Sequence, residues 1–243
     1  MSRGSEAYED ESVRTIYLAH RHSGVASPNV VMEEPAFLAA VGSLTGTQVA
    51  DLGCGDGATA RTIMELGAAT YLGLDGSAGM IDAARDRHAM PGVTFVHQDI
   101  EDLSLATRAF DLVTSRMAFH YIESLGPVLD CIGAGLRSGG RLVFTVTHPV
   151  ITSHDSASPG QRTNWTVDDY FVRAPRLRPW FGSDVIWHHR TIGDYVRLIT
   201  EHGLRLDLID ECEPDAALLE DHSEELQRRR RVPLVLLVAA SRP

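Results

Sequence analysis

Three acids stand at regular intervals in the first half of the chain, each at the end of a short apolar run: Asp51 in VADLGCGDG (49–57), Asp75 in YLGLDGS (71–77) and Asp99 in FVHQDI (95–100). Between the first two lies a turn with glycine at alternate positions, Gly53, Gly55 and Gly57. A strand that runs into such a turn bends tightly and brings a ligand against bare peptide groups at a helix N-terminus. Gly53, Gly55 and Ala58 also satisfy the relaxed dinucleotide fingerprint, with Asp75 near the place of a ribose-binding acid. The glycines alone therefore leave a dinucleotide and other adenosine compounds open.

The carboxylates discriminate. A pyrophosphate is best served by a helix N-terminus free of competing acids, whereas Asp51 ends the strand and Asp56 sits inside the turn. S-adenosylmethionine carries an ammonium, a sulfonium and a carboxylate but no phosphate. An acid at the strand end suits the ammonium, and the helix N-terminus can take the carboxylate. Asp75 is placed for the two ribose hydroxyls, which one carboxylate accepts together, and Asp99 for the adenine amino group. The bland alternative is three solvated loop acids beside turn glycines. The nicotinamide-dependent oxidoreductase reading is weakened by the same acids.

The surrounding elements place these acids on one edge. Short apolar runs alternate with helical patterns: strands at 47–52, 70–74, 93–97, 110–114 and 141–147, and helices through 66, over 78–88 and over 125–136, the last stopped by Ser138-Gly139-Gly140. Apolar strands separated by helices predict an α/β fold with a doubly wound, mostly parallel sheet, whose carboxyl edge binds ligands. Residues 148–190 break the rhythm with four prolines and all three tryptophans, and read as an insertion rather than a sheet unit. A helix at 191–201 follows. Runs at 204–209 and 232–240 then predict a closing antiparallel hairpin without a convincing crossover helix. The first 45 residues form a leader over the ligand edge.

These motifs resemble the class I S-adenosylmethionine-dependent methyltransferases, in particular the broad type 11 small-molecule group. The resemblance rests on VADLGCGDG (49–57), YLGLDGSAGMIDAA (71–84), FVHQDIEDL (95–103), FDLVTSRMAFHYI (110–122) and LRSGGRLVFTVTHP (136–149), and covers most of residues 29–240. It implies a Rossmann-like seven-stranded sheet with an antiparallel last strand, agreeing with the hairpin above. It implies that Asp51, Gly53, Cys54, Gly55 and Gly57 hold the methionine end, Asp75 and Gly76 the ribose, and Asp99 with Ile100 the adenine. Met80 would pack near the adenosine, and Ser115, Arg116 and Met117 would line the donor side. Gly76 departs from the larger residue often found after the ribose acid. Tyr17 and Asn29 in the leader would close over the site, making residues 1–45 a helical lid.

Methyl transfer from a sulfonium is an in-line displacement with a neutral leaving group, so alignment and exclusion of water supply most of the rate. A general base adds to it when the acceptor is a hydroxyl. His148, directly after strand five, and His120, after strand four, are the candidate bases; each could equally be structural. His188-His189 are adjacent, and His148 to His154 crosses a loop, so neither pair predicts a metal site. The stretch 165–187 holds 6 of the chain's 16 aromatics. It predicts an acceptor cap built with Trp165, Tyr170, Trp180 and His189, although the rings could simply pack the insertion onto the core. Arg173, Arg176 and Arg178 could pair an anionic acceptor or stay solvated.

Composition narrows the partners. The 243 residues carry 22 basic and 33 acidic side chains, every basic one an arginine, for a net charge of −11. That charge opposes non-specific nucleic-acid binding, and Arg228–Arg231 follows an acidic segment that suits a solvated surface. The longest apolar stretch, 234–240, has strand length, which argues against a membrane helix. Three widely spaced cysteines and an acidic start predict a reducing, cytoplasmic setting. The expected partner is a small-molecule acceptor, with dimerisation through the insertion open.

Overall fold

The computed structural model describes residues 4–21, 27–153 and 165–243. Parts of the leader and of the insertion, with His154, lie outside the described residues.

A leader of two short segments comes first: a turn of 3-10 helix at Gly4–Tyr8 and α1 (Glu11–Arg21), then a π-helical turn at Asn29–Glu33 running into α2 (Glu34–Val41). The sheet units follow as β1 (Gln48–Leu52), α3 (Ala58–Glu65), β2 (Thr70–Asp75), α4 (Ala78–His88), β3 (Val93–His97), β4 (Phe110–Arg116), α5 (Leu125–Gly135) and β5 (Leu136–Thr147). After a single turn, α6 (Pro149–Thr152), come β6 (Pro175–Trp180), β7 (Ser183–His188), α7 (Ile192–Glu201), β8 (Arg205–Asp210), α8 (Ser223–Arg229) and β9 (Val235–Ser241).

Seven strands form one sheet in the order β3-β2-β1-β4-β5-β9-β8. The first five are parallel, and β9 runs antiparallel to both β5 and β8. The alternation of side chains along each strand divides the core. Ala50, Leu52 and Val113 pack with Leu125, Leu129, Ile132, Tyr195 and Ile199 on one face. Val49, Tyr71 and Leu112 pack with Phe37, Ile63 and Ile81 on the other. Both faces are covered, which is why the central strands read as continuous apolar runs.

Two regions carry more structure than expected. The insertion adds no strand to the main sheet, but within it β6 and β7 form a separate antiparallel hairpin. Pro179 pairs opposite Asp184, and proline is tolerated in an edge ribbon that has only one partner strand. β8 and β9 form the expected antiparallel pair, and the join between them carries α8, where Glu225 pairs with Arg228 and Arg229. That pairing accounts for the first two arginines of the run.

Candidate active site

A cavity of about 620 Å³ opens at the carboxyl edge of β1, β2 and β4. Its floor is the glycine turn. Gly53, Gly55 and Gly57 have φ of +74°, +57° and +77°, a region that L side chains rarely adopt. A Cβ on Gly53 would stand 2.6 Å from the Ala118 methyl, and one on Gly57 2.7 Å from the Phe95 ring, while one on Gly55 would meet nothing within 4 Å. Gly55 thus presents bare backbone to the cavity, while Gly53 after β1 and Gly57 at the start of α3 leave room for Ala118 and Phe95.

Asp75 secures the turn from β2. Its two oxygens accept separate backbone bonds, from the Gly55 amide at 2.8 Å and from the Ser77 amide at 2.9 Å. Burial raises its carboxyl pKa to about 6, against these two amides and with the charges of Asp51 and Asp99 adding to the rise. Asp99 caps the turn after β3 by accepting from the Glu101 amide at 2.9 Å and accepts the Ser5 hydroxyl on its other oxygen, also at 2.9 Å. Gly76 is where it must be small: a Cβ there would lie 2.7 Å from Ser5 and 2.9 Å from Asp99. The departure noted at Gly76 is filled by the leader. Met80, Ile100, Arg116 and Met117 also line the cavity. Met117 does so with φ of +54°, its amide tied to the Thr145 carbonyl at 2.9 Å. Such backbones persist where the surrounding structure over-determines them.

The far wall is aromatic. Tyr8 and Tyr17 are in contact (centroids 5.0 Å), as are Tyr17 and Phe181 (5.8 Å), Phe181 and Trp180 (4.9 Å), and Trp180 and Trp187 (6.2 Å). Trp187 meets His120 at 5.3 Å, and His120 meets Tyr121 at 4.4 Å. A hydrogen bond between the Tyr121 and Tyr8 hydroxyls closes the circuit, and the Trp180 indole N–H donates across to Tyr8 at 2.9 Å. All seven rings line the cavity. Burial, helped by Arg190, lowers the His120 pKa to about 3, so its imidazole is neutral. Burial raises both Tyr8 and Tyr121, the latter to about 12, and keeps them protonated.

A family model described as a methyltransferase domain matches residues 50–144. An S-adenosylmethionine-dependent methyltransferase of Mesorhizobium loti is 32% identical over 86% of this chain and 97% of its own, with a TM-score of 0.81. The chain belongs to the S-adenosylmethionine-dependent methyltransferases. A putative methyltransferase of this type from Listeria monocytogenes is similar at 30% identity and a TM-score of 0.78, over 86% of this chain and 96% of that one. The fatty-acid O-methyltransferase of Mycolicibacterium smegmatis is 32% identical over 46% of this chain, a match spanning only 41% of that relative. The protein is accordingly a methyltransferase enzyme, and its cofactor is S-adenosylmethionine.

Several residues expected at this methyltransferase's site do not reach it. Asp51 lies below the cavity, its oxygens held by the Tyr71 hydroxyl at 2.6 Å and the Thr114 hydroxyl at 2.8 Å. Burial keeps the Tyr71 phenol protonated as the donor. Cys54 and Gly57 pack into the core beside Phe95, and the Ser115 hydroxyl donates to the Leu52 carbonyl at 2.8 Å. His148 is also outside. Its Nδ1 accepts from the Val150 amide at 3.1 Å, capping α6, and its Nε2 stands 3.0 Å from Glu211. Burial lowers its pKa, which Glu211 partly offsets. We expect His148→Ala to lower stability by about 1–2 kcal/mol through loss of the cap, with His148→Asn recovering part of it. Urea unfolding of the two variants checks this.

Trp165 and Tyr170 are likewise off the cavity. The Trp165 indole donates to the Val150 carbonyl at 2.9 Å, and the Tyr170 hydroxyl accepts from the Ile192 amide at 3.4 Å. His189 bridges Thr152 and the Tyr170 carbonyl. Arg173 pairs with Asp194, and Arg176 and Arg178 donate to the Val172 and Ile151 carbonyls, so none faces the cavity. Of the insertion's expected contacts, Trp180 alone reaches the site, along with Tyr17 and Asn29 from the leader and His120 from the turn after β4. Sequence reasoning missed Ser5, Tyr8 and Tyr121, which carry no local signal. It also missed Glu33, whose carboxylate grips Arg116 on the cavity wall. A π-helical turn often marks a functional site, but it is not legible from residue types. Among the described residues no group of three or more metal-ligating side chains occurs, and no helix is long and apolar enough to cross a membrane.

Proposed function

We propose that the enzyme transfers the methyl group to an oxygen, nitrogen or carbon of a small-molecule acceptor by in-line displacement. The observation that carries this is the continuous cavity, with the donor turn on one side and the aromatic circuit on the other. The fatty acid named for the M. smegmatis relative is itself a small acceptor, which supports the class. Bound S-adenosylmethionine supplies an electrophilic methyl on a sulfonium with a neutral leaving group. On this reading Asp75 accepts from the ribose hydroxyls, Asp99 and Ile100 meet the adenine, and Gly53 and Gly55 give bare backbone to the methionine end. Ala118 touches Gly53 and stands two residues before His120, so the chain passes directly from donor turn to acceptor wall. The leader, whose Ser5, Tyr8, Tyr17 and Asn29 line the cavity, acts as the lid that excludes water, and β6–β7 supplies the cap.

Titration of S-adenosylmethionine and NAD into the protein by calorimetry, followed by mass spectrometry for methyl transfer, tests the reading. Binding of NAD in place of S-adenosylmethionine would refute it. The ribose role also has a pH signature. Asp75 must be ionised to accept both hydroxyls, so affinity should be level above pH ~7 and fall as pH drops through its pKa of about 6, approaching tenfold per unit. For the ligand-free protein the sign reverses. A carboxyl pKa raised from 3.8 means the folded state takes up the proton first, so this group's contribution to stability grows as pH falls from about 6 toward 4. Affinities measured between pH 5 and 8 that stay flat would remove Asp75 from the contact.

A further inference from the structure

The aromatic circuit and the distribution of charge identify the acceptor more narrowly. Among the described residues, the charged side chains lining the cavity are Asp75, Asp99, Glu101, Glu33, Glu34 and Arg116, all on or beside the donor edge. Arg116 is engaged by Glu33, so acids outnumber cations among the charged side chains of the lining. Two cations also act on the rings, Arg178 at 5.4 Å from the centre of the Trp187 ring and Arg190 on His120. The circuit itself is built from tyrosine, tryptophan, phenylalanine and the neutral His120, with a second lining histidine, His20, against Phe181 at 5.3 Å. Aromatic faces attract cations, with the largest effect where water is excluded. A carboxylate placed among them would be desolvated against neighbouring acids.

We propose that the acceptor is an amine or a nitrogen heterocycle, held within the circuit of Tyr8, Tyr17, Trp180, Phe181, Trp187 and Tyr121, and released as a methylated cation. This rests on the small-molecule reading of the same cavity. The nitrogen lone pair forms the new C–N bond while the C–S bond breaks, leaving its electron pair on a now neutral sulfur. The positive charge passes from sulfur to nitrogen and stays on the methylated product as it leaves. No base has to act during the transfer itself, because the acceptor reacts as the neutral amine or heterocycle, an ammonium form having first lost its proton to water. That agrees with a histidine in the wall whose pKa is about 3 and with two tyrosines kept protonated. An alcohol or phenol would need a stronger base than His120 provides.

The test separates the circuit from the donor site. The protein is first loaded with S-adenosylhomocysteine, and then titrated with three probes of one shape: choline, uncharged 3,3-dimethylbutan-1-ol and anionic 3,3-dimethylbutanoate. Choline is expected to bind at least tenfold more tightly than the alcohol, and the carboxylate more weakly than either. Trp180→Leu and Phe181→Leu should each shrink the preference for choline several-fold while S-adenosylhomocysteine still binds, which also shows that the variants are folded. Equal binding of choline and the alcohol, tighter binding of the carboxylate, or no binding of choline overturns the proposal. Failure of S-adenosylhomocysteine itself to bind would strike the donor site instead, and the acceptor proposal would fall with it.

Discussion

Asp75→Ala is expected to weaken S-adenosylmethionine binding by about a hundredfold or more. On the ribose reading the carboxylate accepts two hydroxyls. Hydrogen bonds to a charged group contribute about 1.5–3 kcal/mol each, so loss of both costs about 3 kcal/mol at the low end, a little over a hundredfold. The alanine also releases the Gly55 amide, held at 2.8 Å, and with it the turn that shapes the floor. Asp75→Asn should fare little better. The carboxylate serves the Gly55 and Ser77 amides on different oxygens. An asparagine must turn its NH₂ toward one of those donors or toward the ribose, so one contact becomes donor against donor. Calorimetric dissociation constants for the wild type and both variants decide the matter. A change of less than about fivefold in Asp75→Ala would place the ribose elsewhere.

The contrast between Asp75 and Asp51 shows how far the sequence could be read. Both acids end apolar strands beside glycines, and both invite a ligand role on type and spacing. The positions of the main-sheet strands followed from apolar runs and stop signals, because parallel strands covered on both faces leave no polar alternation to confuse them. Which carboxylate faces the cavity depends instead on side chains from other strands. Tyr71 and Thr114 arrive from β2 and β4 to take both oxygens of Asp51, and neither is marked as its partner by sequence. His148 misled for a related reason. Its place after β5 fitted a base, but Pro149 starts a helical turn there, and the imidazole caps it. The rings of the acceptor wall were half legible. The cluster at 165–187 pointed to Trp180, whereas Tyr8, Tyr121 and His120 join it from the leader and the turn after β4, by contacts that only the tertiary fold creates.

Arg116→Met is expected to cost about 3 kcal/mol of stability. Glu33 is 1% exposed, and Arg116 binds both of its oxygens while its guanidinium lies 4.8 Å from the centre of the Phe37 ring. Removing one partner of a buried pair leaves an uncompensated charge, at about 3–5 kcal/mol; Arg116 is 16% exposed on its side chain, which puts this pair at the low end. The Thr145 hydroxyl, donating to Glu33 at 2.8 Å, remains but cannot replace a guanidinium. For a chain of this length the loss corresponds to a melting temperature lower by roughly 6–12 °C. The double variant Glu33→Gln/Arg116→Met should regain most of it, because no buried charge is then left unpaired and the amide can still accept from Thr145. Additive losses in the double variant, or a single variant within 1 kcal/mol of wild type, would mean that the two side chains are not coupled. The pair also ties the leader to the sheet, since Glu33 ends the π-helical turn and Arg116 ends β4. Uncoupling it should therefore loosen the leader over the cavity, and limited proteolysis of Arg116→Met should cut between residues 9 and 34 earlier than in the wild type.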